Sequence, residues 1–361
     1  MRTKLPVKQR TRTLFVLLLL LLTLKPVWAE SSLVDRDGGS SLRVVTYNHA
    51  LLDFKNPLMS VYVPMRQSRR KAAPKIWSEF LNRDQPDVVL LQEIWYHKDF
   101  RRLKKAFESQ GYVSVLSEDE VPRYKRRFGL RGHGLQVFFR KDKLELVSSD
   151  FRPFLDENGE VIRSSLENIK ALFYKVKIDR GALLAEFRLK GEPSSKKVTL
   201  LTTHLTSRLE EQAVRNAQVE KLAELVRELD DDTGSIVLGA DFNISPNFEG
   251  ALEEDIEGFE INAKQYGVFL DASGMVDSYT SAESVEGFEF TQNRKHNILA
   301  RRGFSTKPEP EQRLDFVFLA RAKAQRYTTV LTERNIKVRR RKYGNRIPLS
   351  DHFGVMVDMQ L

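Results

Sequence analysis

An α/β sandwich, with two β-sheets packed together and covered by helices, is the fold class this chain predicts. Three features predict it: short apolar runs of strand length, segments of helical periodicity between them, and polar side chains gathered at the strand ends. The runs are Leu42 to Asn48, Val88 to Glu93, Leu135 to Arg140, Val198 to Leu205, Ile236 to Asp241, Leu314 to Leu319 and Gly354 to Met359. They read as the central strands of a sheet. Between them Ile76, Trp77, Phe80 and Leu81 recur at helical spacing, as do Leu222, Leu225, Val226 and Leu229 within 210–229. Two extended segments, 169–178 and 182–189, flank Arg180-Gly181 and predict a hairpin.

Ahead of these elements lies a segment of different character. Arg2, Lys4, Lys8, Arg10 and Arg12 form a basic leader, and Leu14 to Leu24 is apolar but for Thr23. Val27-Trp28-Ala29 then offers suitable residues before a cleavage site, so residues 1–29 read as an export signal cut near Ala29. The alternative is an uncleaved anchor, but the run is short of the roughly 20 apolar residues that span a membrane. Residues 30–41 read as a flexible lead-in and 42–361 as a single domain; no solenoid-period repeat or long linker interrupts it.

Composition bounds the function. The formal charge of +10 falls to +4 once residues 1–29 are removed, because that segment holds six basic side chains and no acidic ones. A mildly positive surface suits phosphate-bearing or anionic substrates, and it is weaker than the basic face of a dedicated nucleic-acid binder. The absence of cysteine excludes disulfides, thiol catalysis and Cys-ligated zinc. At 41% apolar and 30% charged, the chain is that of a packed globular protein.

The sharpest local motif is Gly239-Ala240-Asp241-Phe242-Asn243, after the apolar Ile236-Val237-Leu238. Residues two apart on a strand share a face, so Asp241 and Asn243 can offer a carboxylate and an amide to one ligand while Phe242 packs behind. The plain alternative is a strand-to-turn transition. Leu349-Ser350-Asp351-His352 precedes the last strand; a histidine beside a carboxylate is a natural proton acceptor, although the same four residues also suit a surface turn. Asp315 lies inside an apolar strand and needs a partner there, for which a histidine is the obvious candidate. Gln92-Glu93 puts an acid at a strand end, where Glu93 suits a hard divalent cation such as Mg²⁺. Asn48 can add a neutral oxygen or simply cap a turn, and His204 ends a strand where a satisfied core histidine is the commoner outcome.

In order and spacing, Asn48, Gln92-Glu93, His204, the Asp241–Asn243 motif, Asp315 and Ser350-Asp351-His352 resemble the endonuclease/exonuclease/phosphatase superfamily. That resemblance spans roughly 42–361 and implies a four-layer DNase I-like sandwich of two packed mixed β-sheets flanked by helices, here as one catalytic domain. Within the superfamily the chain is similar to the secreted neutral sphingomyelinase C branch. The similarity runs through Asn48 to Leu52, Tyr62, Arg66, Arg69 and Arg70, Val214 to Gln218, Thr291 to Ala300, and Pro308 to Arg313. Two departures are the missing cysteines of some secreted members and the lack of an exposed aromatic hairpin for membrane docking.

The resemblance implies in-line attack of water on a phosphodiester. Glu93, Asn48 and Asp351 would hold Mg²⁺ or another divalent cation, with His352 as base and Asp315 orienting it. Asp241 and Asn243 would position water or the phosphoryl group, and His204 would donate to a developing negative oxygen. Phospholipid at a membrane surface is the expected substrate, with nucleic acid as the alternative and a noncatalytic binding protein of the same fold as a third reading. No obligate protein partner is indicated and the chain reads as a monomer. The basic run Lys337 to Lys342 can contact phosphates or form a solvated edge.

Overall fold

The central strands carry apolar residues at consecutive positions because both of their faces are covered. The computed structural model describes residues 40–55, 60–117, 131–164, 177–192, 197–231, 234–301, 309–339 and 343–361. The leader over residues 1–29, most of the lead-in, residues 169–176, Pro308 and residues 340–342 lie outside them.

In chain order the principal elements are β1 (Ser41–Asn48), α1 (Arg66–Asp84), β2 (Val88–Gln92), α2 (His97–Glu108), β3 (Tyr112–Ser114), β4 (Gln136–Arg140) and β5 (Leu144–Pro153). There follow β6 (Gly181–Leu189), β7 (Lys197–His204), α3 (Gln212–Leu229), β8 (Ser235–Asp241), α4 (Ile256–Ser273), β9 (Val276–Asp277) and β10 (Ser284–Glu286). The last three are β11 (Asp315–Ala320), β12 (Lys323–Val330) and β13 (Gly354–Gln360). A seven-stranded sheet runs β10-β12-β13-β1-β2-β4-β3, and a six-stranded sheet runs β9-β11-β8-β7-β6-β5. Both are mixed: β1 is parallel to β2 and antiparallel to β13, while β8 is parallel to β7 and antiparallel to β11.

Strand alternation divides the second sheet cleanly. Leu183, Leu200, Val237 and Val317 join the core shared with the first sheet, whereas their neighbours Leu184, Leu201, Leu238 and Phe318 pack with Leu222 and Phe269 of α3 and α4. Trp77, Phe80, Phe100 and Phe107 of α1 and α2 cover the other side of the first sheet. The result is the helix–sheet–sheet–helix layering expected from the sequence. At Gly239 the sheets come so close that a Cβ would lie 2.4 Å from Leu90 Cδ1 and 3.1 Å from Thr46 Cβ. A side chain there would force Leu90 or Thr46 to shift.

The predicted hairpin does not form as expected. Both edges of β6 are taken, by β5 and β7, and the described part of the preceding arm, Lys177–Ile178, pairs with Arg131–Gly132. β6 instead lies antiparallel to β7, the next strand in the chain, and its other neighbour β5 is exposed along most of its length and shows no continuous apolar run.

Candidate active site

Strand register builds one half of the site. His204 stands opposite Asp241 across β7 and β8, and Asp241 stands opposite Asp315 across β8 and β11, so three polar residues form a row on adjacent strands. Each shares the parity of residues that face the first sheet, namely Leu200, Val237 and Val317, so the row points into the seam between the sheets. On the opposing sheet Asn48 is registered with Gln92. The Gln92 side chain donates to Thr46 Oγ1 at 3.0 Å and Thr202 Oγ1 at 2.9 Å, tying the two sheets just beneath the site.

Continued alternation would turn Glu93 away from Gln92, toward the helical layer. Its left-handed backbone, φ 61°, breaks the alternation and sets Oε1 3.4 Å from Asn48 Nδ2. A non-glycine residue in that region costs about 1 kcal/mol or more, so the surrounding contacts hold it there. Asn243 also has positive φ, 50°, where asparagine is better tolerated. Its backbone N–H donates to Asp241 Oδ1 at 3.1 Å and its amide to Leu205 O at 3.0 Å, linking the ends of β7 and β8. Phe242 packs behind, fully buried against Phe269 and Phe318.

The Asn48 amide bridges the halves. Its Nδ2 donates to Asp241 Oδ2 at 2.7 Å as well as facing Glu93, while its Oδ1 accepts the Ala50 N–H at 2.8 Å. The neutral oxygen expected to face a cation is therefore turned to the backbone; Asn48 offers the acids its N–H groups and fixes their positions.

His352 meets the buried partner that Asp315 requires: Nδ1 lies 2.8 Å from Asp315 Oδ2. Thr291 Oγ1 accepts the backbone N–H groups of Leu314 and Asp315, fixing the start of β11. Ser350, buried, accepts the His352 N–H at 3.3 Å and donates to Asp351 Oδ1 at 3.2 Å.

The two histidines respond oppositely to similar burial. For His352 the lowering effect of burial is outweighed by the charges of Asp315 and Asp241 and the hydrogen bond to Asp315, so its pKa lies well above the ordinary value. His204 is lowered well below it by burial, with the charges of Arg180 and His352 adding to the effect. The carboxylates thus favour the charged form of His352, and burial favours the neutral form of His204. His204 Nε2 lies 3.6 Å from Asp241 Oδ2. Burial raises Asp241, and Asp315 adds to this; burial likewise raises Glu93, with Asp351 as the next contribution.

Among the described residues one group is placed to offer metal-binding atoms together. Asp241, Asp315 and His352 place one candidate ligand atom each within 4.8 Å of one another. In that group the His352 ring is already paired with Asp315. Glu93 and Asp351 instead raise the energy of each other's charge, and their all-oxygen donor set fits a hard divalent cation. Asp315 Oδ1 is a further buried oxygen without a hydrogen-bond partner.

Arg215, Gln218, Asn297 and Arg313, all from the looser sequence patterns, are buried anchors. Arg215 donates to the carbonyls of Thr206 and Arg208, and Gln218 brackets Thr206 from both sides, holding the loop after His204. Asn297 donates to Ser350 O at 3.0 Å, beside Asp351. Arg313 pairs with Asp277 between the rings of Tyr279 and Phe316. Arg180, read only as a turn residue, donates to His204 O at 2.7 Å; an arginine next to a glycine gave no sign of that contact. In the basic run, Lys337 and Arg339 are exposed and Val338 is partly buried, with Val338 packing on the main core.

Comparison with known proteins agrees with this geometry. A model of the Endonuclease/Exonuclease/phosphatase family matches residues 45–352. Protein angel of Drosophila melanogaster is 27% identical over 212 residues, covering 58% of this chain and 54% of that protein, so the chain spans about half the length of this curated relative. A solved endonuclease/exonuclease/phosphatase family protein from Bacteroides thetaiotaomicron superposes with a TM-score of 0.58 at 18% identity, over 89% of this chain and 98% of its own. A mannosyl-6-phosphatase of the same species gives 0.57 at 18% identity, over 89% and 100%. TDP2 of D. rerio, complexed with single strand DNA product, gives 0.54 at 18% identity, again over 89% and 100%. At these identities the structural likeness is one of fold.

Proposed function

This chain belongs to the endonuclease/exonuclease/phosphatase family, whose members hydrolyse phosphate esters, and from that premise we propose that it is a Mg²⁺-dependent phosphodiesterase. The observation that carries the proposal is the convergence, at one end of the seam between the sheets, of the His352–Asp315 pair with Asn48, Glu93, Asp241 and His204.

In this reading Glu93 and Asp351 would hold the cation, and Asn48 fixes Glu93 and Asp241 through its amide N–H groups. A divalent cation bound there would supply positive charge that offsets phosphate charge as the transition state forms. The neutral His352 ring then takes a proton from the attacking water, while Asp315 orients the ring and stabilises the imidazolium that results. Asp241 and Asn243 position the water or phosphoryl group. Neutral His204 retains a ring N–H that can donate to a developing negative oxygen, as the reaction requires. No covalent intermediate with the protein is needed.

A phosphocholine lipid of the sphingomyelin type is the first substrate reading. It is supported by the similarity in sequence pattern around Asn48–Leu52, Tyr62–Arg70, Val214–Gln218 and Thr291–Arg313. The anchoring contacts of Arg215, Gln218, Asn297 and Arg313 give much of that pattern a role in the fold, independent of any lipid. Nucleic acid is the second reading, favoured by the likeness in fold to a protein complexed with a single strand DNA product. The leader fits an exported enzyme in either case. The test is a parallel assay of purified protein on sphingomyelin vesicles, phosphatidylcholine vesicles and plasmid DNA, each with Mg²⁺ and with EDTA. Phosphocholine release that needs Mg²⁺ supports the lipid, and DNA cleavage without such release rejects it.

A further inference from the structure

Arg69 lies in the first turn of α1 and is fully buried, yet no carboxylate pairs with it among its described hydrogen bonds. All five of its N–H donors go to backbone carbonyls. Nε reaches Pro64 O at 3.1 Å; Nη1 reaches His49 O at 3.3 Å and Leu349 O at 3.2 Å; Nη2 reaches Ala50 O at 2.8 Å and Val63 O at 3.2 Å. A guanidinium has five N–H groups, and here each has a separate acceptor.

Three of the acceptors, His49, Ala50 and Leu349, lie on loops that orient or bear acids of the site, and Val63 and Pro64 lie just before α1. The loop after β1 orients two polar side chains through its backbone: Ala50 N–H holds Asn48 Oδ1 at 2.8 Å, and Leu52 N–H holds Glu93 Oε2 at 3.4 Å. Leu349, on the other loop, is two residues before Asp351. Ala50 itself has φ 49°, a left-handed conformation that needs outside support. One side chain thus joins the loop that orients Glu93 to the loop that bears Asp351.

We propose that Arg69 is the positioning residue that presets the Glu93 and Asp351 carboxylates for a divalent cation, by clamping the loops at Ala50 and Leu349 from within. The proposal rests on the metal-site reading above. Lysine carries the same charge but has three donors on one nitrogen and cannot span these acceptors.

The test compares wild type, Arg69→Lys and Arg215→Lys in the full chain, with Mg²⁺ binding read by calorimetry beside melting temperature and steady-state kinetics. Arg215 is an equally buried arginine whose carbonyl acceptors lie on the loop after His204. Arg69→Lys is expected to weaken Mg²⁺ binding about 10-fold or more, the scale of lost support around a metal ligand. Its turnover at saturating Mg²⁺ should recover to within a few fold of wild type. Arg215→Lys should lose comparable melting temperature with its Mg²⁺ affinity unchanged. Arg69→Lys with wild-type affinity overturns the proposal, as does an equal loss of affinity in both variants. Should Arg69→Lys not fold, hydrogen exchange on metal-free wild type decides: protected Ala50 and Leu52 amides support the clamp, and free exchange until Mg²⁺ is added overturns it. A wild type that binds no Mg²⁺ overturns the site reading as well; binding by wild type with undiminished binding by Arg69→Lys overturns this inference alone.

Discussion

β1 runs between two regions that treat charge in opposite ways. Near its start, Arg43 lies opposite Asp358 of β13, and Asp358 is held by Arg43 at 2.5 Å and by Arg326 at 2.7 Å. At its other end Asn48 is surrounded by acids: Asp241 and Glu93 in hydrogen-bond contact, with Asp315 and Asp351 close enough to raise them. The first region pairs its charges and is structural. The second gathers four acids around the Asn48 amide, where burial and neighbouring carboxylates raise Glu93 and Asp241. Stability and function have been given opposite ends of the same strand.

The largest effect that can break this comparison is His352→Ala. It is expected to lower phosphodiester turnover by about 10²- to 10⁴-fold, the range for a general base, while circular dichroism and melting temperature show a folded protein. Near-normal turnover in a folded variant would remove the base from the site. Glu93→Gln comes next. It should weaken Mg²⁺ binding and abolish most of the rise in melting temperature that Mg²⁺ gives the wild type, a rise worth about 2.7 kcal/mol at 100 times the dissociation constant. Without metal the variant should be no less stable than wild type, because one of two mutually opposed buried charges is gone. A large loss of metal-free stability would make Glu93 a structural residue.

The pH dependence of the rate gives a third, smaller effect. Since His352 is held above its ordinary pKa by Asp315 and Asp241 against burial, turnover at low Mg²⁺ should rise with pH above neutrality as the ring loses its proton. More Mg²⁺ should move that rising limb to lower pH. A limb fixed at one pH across metal concentrations contradicts the coupling between acids and base.

The smallest effect belongs to the other region. Asp358→Asn should leave turnover unchanged and cost about 1 kcal/mol of stability by chemical denaturation, since the Arg43, Asp358 and Arg326 side chains are 25%, 15% and 22% exposed. Burial would raise the Asp358 pKa, but the hydrogen bonds and charges of Arg43 and Arg326 outweigh it, so the folded value is lowered. Its contribution is complete above the unfolded value of about 3.9 and fades as pH falls through the lower folded value. Stability differences between wild type and Asp358→Asn should therefore shrink in acid and be constant near neutrality.

Legibility in the sequence followed the physics of each element. Central strands such as β1, β7 and β8 were readable because burial on two faces leaves a continuous apolar run. β5 and β12 were not, because polar residues are frequent along them and much of β5 faces solvent. The row was visible only as separate residues, His204 and Asp241 at strand ends and Asp315 within an apolar run; register, a long-range property, joined them. Glu93 was legible as an acid at the end of a strand, but the left-handed turn that aims it has no sequence signal, since glutamate is not a residue that favours positive φ. Arg69 was noticed as part of a pattern, and its carbonyl acceptors could not be inferred because they come from three separate segments of chain.

The most direct test of the account is hydrolysis of bis(p-nitrophenyl) phosphate by purified wild type and His352→Ala, each across a Mg²⁺ titration and in EDTA. The account predicts turnover by wild type that saturates with Mg²⁺, disappears in EDTA, and is nearly absent in a folded His352→Ala protein that still binds Mg²⁺. Turnover indifferent to EDTA, or retained in His352→Ala, would contradict it.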